Sequence, residues 1–274
     1  MLECVVNVSE GRRPDVLDRL ADAAVQDLLD LHHDPHHHRA VLTLVGEDAP
    51  RAVARKAVDL LDLRTHEGVH PRLGVVDVVP FVPLDGADLT DAVAARDGFA
   101  AWAASELGLP CFLYGPGPGD PTLPELRRDA WTARRPDRGP NRPHPTAGAV
   151  CVGARPVLVA YNVWLAGGDV ALARRVASAV RGPALRALGL AVGDRAQVSM
   201  NLVAPLEIGP GAAYDLVRHE ARAAGAEIDG AELVGLLPEA VLHTVPGARW
   251  PELDLAPDQT IEARLATRAA RVRP

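Results

Sequence analysis

Lysine is nearly absent from this chain. Lys56 is the single lysine among 29 lysine and arginine residues, so positive charge rests almost wholly on arginine. Such a bias fits a GC-rich genome, and it also supplies planar forks of donors suited to carboxylates. Cysteine is scarce and scattered. Cys4, Cys111 and Cys151 make neither a disulfide framework nor a C-x-x-C metal site. Each lies in or beside an apolar run, where a reduced, buried, small hydrophobe is expected. Aromatic residues make up only 4% of the chain, so valine, leucine and alanine must build the core. No apolar run reaches the roughly 18 residues that span a membrane. Glu3 interrupts the opening stretch too early for a secretory signal, which leaves the cytoplasm as the expected compartment. A net charge of −7 excludes a global attraction to nucleic acid or to an anionic membrane.

What is present reads as a soluble globular protein. The 274 residues are 48% hydrophobic and 24% charged, enough for one large domain or two of ordinary size. Residues 2–8 read as a strand. Leu17, Leu20, Ala21, Ala24, Val25 and Leu28 then fall on one helical face, with Pro14 in the first turn. Leu28–His33, 39–46 and 75–82 read as strands, with a helix from Pro50 to about residue 62. Ala87–Leu107 adds a helix and Cys111–Tyr114 a strand. The second half repeats the order: a long strand-like run from Ala147 to Leu165, a helix at Asp169–Arg181, strands at 187–192 and 195–203, a helix at Ala212–Ala224, and a strand at Leu233–Leu237. Two β-α-β-β-α-β sets in tandem argue for an α+β protein built by duplication of a ferredoxin-like subdomain. The expected division is 1–146 and 147–274, the first including a Gly/Pro-rich loop at 115–146.

The chemistry-bearing residues concentrate in His66–Phe81, where two histidines, an arginine and Asp77 feed an apolar strand. His70 precedes Pro71, which biases it toward extended backbone. A histidine held there with charged neighbours suits proton transfer near neutral pH; a solvated loop histidine is the plainer alternative. Residues 70, 72 and 74 share a strand face by the two-residue period, and Asp77 falls on the other unless a bulge intervenes. Asn7, Asn162 and Asn201 each interrupt an apolar strand, either as structural hydrogen-bonding groups or as ligand contacts. The run from Asp30 to Arg39 holds His32, His33, His36, His37 and His38, residue types that bind zinc or nickel as well as furnish a polar loop.

Five blocks resemble the formiminotransferase domain, the folate-dependent glutamate formimidoyltransferase family. They are Glu3-Cys4-Val5-Val6-Asn7-Val8-Ser9-Glu10-Gly11-Arg12, the block from His66 through His70-Pro71-Arg72 to Phe81, Gly153-Ala154-Arg155 through Tyr161-Asn162-Val163, Gln197-Val198-Ser199-Met200-Asn201-Leu202, and Glu232-Leu233-Val234-Gly235-Leu236-Leu237-Pro238. They stand in family order across nearly the whole chain. Leu73, Val75 and Val79 replace the family's methionine, alanine and cysteine, and His38 stands where the family has asparagine.

The resemblance implies two subdomains whose sheets face one another across a substrate cleft, and transfer of a formimidoyl group between glutamate and tetrahydrofolate as co-substrate. It places the catalytic role on His70. It places Gly139, Pro140, Asn141, Arg142, Pro143, His144, Pro145, Thr146, Ala147 and Gly148 against the folate. Both substrates are anionic, so Arg39, Arg72, Arg142 and Arg155 become candidate carboxylate receptors, Arg72 and Arg155 foremost. Asn7, Asp77, Asn162 and Asn201 join them as substrate contacts. No metal is expected, because the chemistry requires none. Folate and glutamate or a related amine are the expected partners, nucleic acid and membrane are not, and a homodimer is compatible. A stand-alone member is expected, without the cyclodeaminase fused to some relatives. The alternatives are a paralogue moving a formyl or formimidoyl group to another amine, and a non-catalytic folate-binding protein.

Overall fold

The computed structural model describes residues 1–272 except Pro118 and Gly168. Pro118 of the Gly/Pro-rich loop and Arg273 and Pro274 of the tail therefore lie outside the described residues. The chain divides into two compact units, Met1–Pro156 and Val157–Pro274.

The first unit runs β1 (Leu2–Val8), α1 (Pro14–Ala24), β2 (Leu28–Asp34), β3 (Arg39–Val45), α2 (Asp48–Leu60), β4 (Val76–Pro83), α3 (Leu89–Glu106), β5 (Cys111–Tyr114), α4 (Leu123–Asp129) and β6 (Val150–Ala154). Among the described residues these strands make one sheet in the order β2-β3-β1-β4-β6-β5. β1 is antiparallel to β3 and β4, whereas β6 runs parallel to β4 and β5. The second unit runs β7 (Val159–Ala166), α5 (Val170–Val180), β8 (Leu185–Val192), β9 (Arg195–Leu202), α6 (Pro210–Ala223) and β10 (Glu227–Val234), followed by α7 (Glu239–Leu242) and α8 (Ile261–Val272). Its sheet is antiparallel, in the order β10-β7-β9-β8. No described helix is long and apolar enough to cross a membrane.

Each sheet buries one face against helices. In the first unit Cys4, Val6 and Val8 of β1 alternate inward and meet Leu17 and Leu20 of α1 and Val53 and Ala57 of α2. Burying one such leucine or valine contributes about 1.5–3 kcal/mol. Aliphatic residues and alanine dominate both cores, as the shortage of aromatics requires. All three cysteines are buried free thiols. The alternate residues of β1, Asn7 among them, project from the opposite face, part of which α4 covers.

Several boundaries differ from the sequence reading. α1 stops at Ala24, and Val25 is 74% exposed with φ +50°, so Val25 and Leu28 do not continue the apolar stripe. The run from Ala147 to Leu165 is two strands, because Pro156 cannot continue a ladder; β6 joins the first sheet and β7 opens the second. This moves the division from 146/147 to 156/157. Residues 66–75 are irregular rather than strand, and β10 lies at Glu227–Val234 rather than at 233–237. Within the predicted linker a helix forms, α4, whose Thr122 and Glu125 make a capping box.

Candidate functional site

The face of the first sheet opposite α1, α2 and α3 gathers Asn7 from β1, Arg39 from β3, Asp77 from β4, Arg127 from α4 and His70 from the 66–75 loop. Asp77 reaches this face through a bulge. Asn7 pairs with Val78 and Val8 with Val76, which leaves Asp77 as the extra residue on β4. Its carboxylate is 1% exposed. Oδ1 accepts from the Leu73 N–H at 2.8 Å, and Oδ2 accepts from Arg39 Nη1 at 3.0 Å and from Arg127 Nη2. Arg39 is held a second time, since its Nε donates to Asn7 Oδ1 at 2.9 Å. Burial draws Arg39 down to about 10, despite the opposing pull of Asp77, and the guanidinium stays charged at neutral pH.

His70 lies between opposite hydrogen-bonding partners. Arg39 Nη1 donates to its Nδ1 at 2.6 Å, and the Pro71 carbonyl stands 2.7 Å from the same nitrogen. A neutral imidazole with its proton on Nε2 satisfies Arg39; a protonated one donates from Nδ1 to Pro71. Arg127 Nη1 also donates to that carbonyl, at 2.5 Å. Burial, then the Arg39 and Arg127 guanidinium charges, push His70 down from the usual histidine range to about 2. The resting imidazole is therefore neutral; its Nδ1 either accepts from Arg39 or donates to Pro71 O, depending on the tautomer.

The loop that carries His70 is tied down along its length. Arg72 Nη1 donates to the carbonyls of Gly68 at 2.9 Å and His70 at 3.1 Å, and Nη2 donates to that of His66 at 2.9 Å. Both its terminal nitrogens are thus turned onto backbone inside the loop. Ser9 Oγ donates to Gly74 O at 2.8 Å, and a Cβ on Gly74 would stand 2.2 Å from Ala149 O. The predicted folate segment supplies the other side of this clamp. Val75 N–H donates to Ala147 O at 2.9 Å and Leu63 N–H to Thr146 O at 2.7 Å. His144 Nδ1 accepts from the Ala147 N–H at 3.0 Å, and Gly148 takes φ +73°, where a Cβ would stand 2.3 Å from the Leu73 carbonyl oxygen. Gly139, Pro140, Asn141, Arg142, Pro143 and Pro145 are exposed. Arg155 donates from Nη1 to Pro156 O at 3.0 Å. Asn162 and Asn201 lie in the second unit on the helix-free face of its sheet. Asn162 donates to Glu232 Oε2 at 2.9 Å, and Asn201 is exposed.

The histidine run forms a hydrogen-bonded lattice beside the site. Glu10 Oε1 accepts from the N–H groups of Gly11, Arg12 and Arg13 at 2.9, 2.8 and 3.1 Å. Burial pushes Glu10 up, but these donors and the Arg13 guanidinium outweigh it and hold the carboxyl below its usual range. His38 places Nε2 at 3.2 Å from Glu10 Oε1 and Nδ1 at 2.9 Å from the Glu67 carbonyl. Its φ of +52° is a conformation that asparagine and histidine adopt more readily than most residues. The His38 ring stacks on His66 with centroids 4.1 Å apart. His66 Nε2 faces His38 O at 3.0 Å, and His37 Nδ1 stands 3.2 Å from Asp34 Oδ2. These nitrogens are engaged inside the protein. Treatment with EDTA is accordingly expected to leave thermal unfolding and turnover unchanged; a loss restored by one divalent ion would contradict this reading of the loop.

Arg127 and Glu10 are the members of this arrangement that were not among the candidates read from the sequence. The Thr122-Leu123-Pro124-Glu125 capping-box pattern was the available signal for Arg127, since it announces a helix inside an otherwise loop-like stretch.

The neutral His70 has a consequence for acid stability. The unfolded chain takes up its proton near pH 6.5, whereas the folded chain holds this group neutral down to about 2. The stability it contributes is complete above about pH 6.5 and is lost as pH falls, by at most about 1.4 kcal/mol per pH unit. His66 acts in the same direction, lowered first by burial and then by Arg72 and His38. Denaturant midpoints are expected to drop between pH 7 and 5, and to drop less steeply in His70→Gln. Equal slopes in both proteins would refute the neutral assignment.

Residues 1–155 match the model of the formiminotransferase domain, N-terminal subdomain. The chain is 34% identical over 276 residues to the glutamate formimidoyltransferase of Streptococcus pyogenes, covering 89% of this chain and 91% of that protein. It is 33% identical over 278 residues to the glutamate formimidoyltransferase of Thermoplasma acidophilum, covering 89% and 90%. It is 32% identical over 272 residues to the formimidoyltransferase-cyclodeaminase of Rattus norvegicus, of which it spans 50%.

Proposed function

The chain belongs to the formiminotransferase family, and from that premise we propose that this transferase moves a formimidoyl group between L-glutamate and tetrahydrofolate with His70 as the proton carrier. The acceptor amine attacks the amidine carbon, a new C–N bond forms, and a tetrahedral intermediate results. The attacking nitrogen must lose a proton and the leaving nitrogen must gain one before the old C–N bond breaks. One histidine does both in sequence. Folate is a substrate here, and the formimidoyl carbon, the protons and the two amines balance without a further reagent.

The observation that carries this reading is the placement of His70 Nδ1 at 2.6 Å from a donor, Arg39 Nη1, and 2.7 Å from an acceptor, Pro71 O. Both protonation states of the imidazole have a partner already in place. In the resting state the His70 imidazole is neutral. It gains base strength when an anionic substrate offsets the two guanidinium charges beside it. The Gly139–Gly148 segment and Asp77 are read as the support that holds the His70 loop in register beside the pterin. Discharge of 5-formimidoyltetrahydrofolate by a panel of amines, with the formyl analogue as a control donor, tests the assignment. Glutamate is expected to be the preferred acceptor and formimidoyl the preferred group; a different preferred amine would overturn it.

We further infer that the two units arose by duplication of a ferredoxin-like subdomain. The orders β2-β3-β1-β4 and β10-β7-β9-β8 support this reading, because each is the same permutation of a β-α-β-β-α-β unit.

A further inference from the structure

The sequence offers four arginines as carboxylate receptors, Arg39, Arg72, Arg142 and Arg155, yet the one with the most open donors near His70 is not among them. Arg39 directs Nε and Nη2 to Asn7 Oδ1 and Nη1 to both His70 and Asp77, so one of its five N–H groups is left. Arg72 turns both terminal nitrogens onto backbone carbonyls. Arg127 uses one hydrogen on Nη1 for Pro71 O and one on Nη2 for Asp77. Its Nε–H and the second hydrogen on each Nη meet no acceptor among the described residues, which leaves three of five N–H groups open on a side chain 18% exposed. The charge balance agrees. Arg39 and Arg127 share one carboxylate, Asp77, and the other titratable group beside His70 is His37, whose ring lies 6.4 Å away with its Nδ1 3.2 Å from Asp34 Oδ2. One positive charge is uncompensated beside the proton carrier.

We propose that Arg127 receives a carboxylate of the amino-acid substrate on its open edge, next to His70. The identity of that amino acid rests on the transferase reading above; the residue assignment rests on the geometry. A bidentate pair there fixes the amine beside the imidazole and cancels the surplus charge, so that the anion which must be bound is also the one that permits His70 to take a proton. Asp77 continues to hold the inner edge of the guanidinium, and Pro71 continues to accept from it.

Calorimetric titration of L-glutamate, its α-amide and its γ-amide into the full-length wild type, Arg127→Gln and Arg127→Lys tests this directly. The wild type is expected to bind one of the two monoamides about 30-fold more weakly than glutamate, a difference of about 2 kcal/mol. Arg127→Gln is expected to lose that discrimination, and Arg127→Lys to retain part of it, since an ammonium lacks the planar fork. A variant that has merely loosened the loop weakens all three ligands alike and keeps the ratio, which overturns the assignment. Absence of discrimination in the wild type overturns it as well. Turnover is read separately. A wild type that distinguishes the amides through Arg127 yet transfers no formimidoyl group sinks the transferase reading and leaves this one standing.

Discussion

Replacing His70 with alanine is expected to lower turnover by about two to four orders of magnitude while folate binding survives. The effect is large because the substitution removes the imidazole that Arg39 Nη1 and the Pro71 carbonyl bracket, at 2.6 and 2.7 Å. It is confined to chemistry because the loop has its own fastenings. Arg72 holds three carbonyls, Leu73 N–H is bound to Asp77, and Val75 N–H to Ala147, none of which involves the His70 ring. Steady-state kinetics paired with folate titration separates the two properties. Turnover near the wild-type value in a folded His70→Ala protein would remove His70 from the mechanism.

Replacing Asp77 with alanine is expected to be the most destabilising single change at the site, by about 3–5 kcal/mol. The carboxylate is 1% exposed and serves Arg39, Arg127 and the Leu73 N–H together. Without it two guanidinium groups face one another with no counter-charge, and a backbone donor loses its acceptor. Asp77→Asn keeps an acceptor for Leu73 and restores part of the loss, but leaves the charge unbalanced. Denaturant unfolding should order the three proteins wild type, asparagine, alanine. Turnover should fall in both variants, because His70 then lies against two unneutralised cations. An alanine variant as stable as the wild type would show that the arginine pair does not need Asp77.

How much of this was legible in the chain depends on the range of the interaction. Alternation along residues 2–8 and 39–46 and helical spacing in 14–24 located most of the first unit, since those patterns are local and set by burial. The four-way grouping of Asn7, Arg39, His70 and Asp77 was within reach through the family-like blocks, although only three-dimensional pairing shows that Arg39 joins the other three. Asp77 illustrates the limit. Period-two counting puts it on the wrong face, and the bulge that corrects this is visible only in the register of β1 against β4. Arg72 shows another limit. Its place beside His70-Pro71 suggests ligand binding, and nothing in the sequence signals that the irregular loop brings three backbone carbonyls within its reach. Arg127 was hidden because a stretch rich in Gly, Pro, Asp and Arg reads as linker, even though its capping box marks a helix. The Ala147–Leu165 run was read as one strand because apolar content does not reveal a change of sheet; Pro156 does.

The most direct test of the account is to follow a carbon-13 label from N-formimidoyl-L-glutamate in the presence of tetrahydrofolate and the full-length chain. By carbon-13 NMR the label is expected to leave glutamate and appear on the folate nitrogen in equal amount in the wild type, and to stay on glutamate over the same interval in His70→Ala. A wild-type protein that binds both substrates and leaves the label on glutamate would contradict the account.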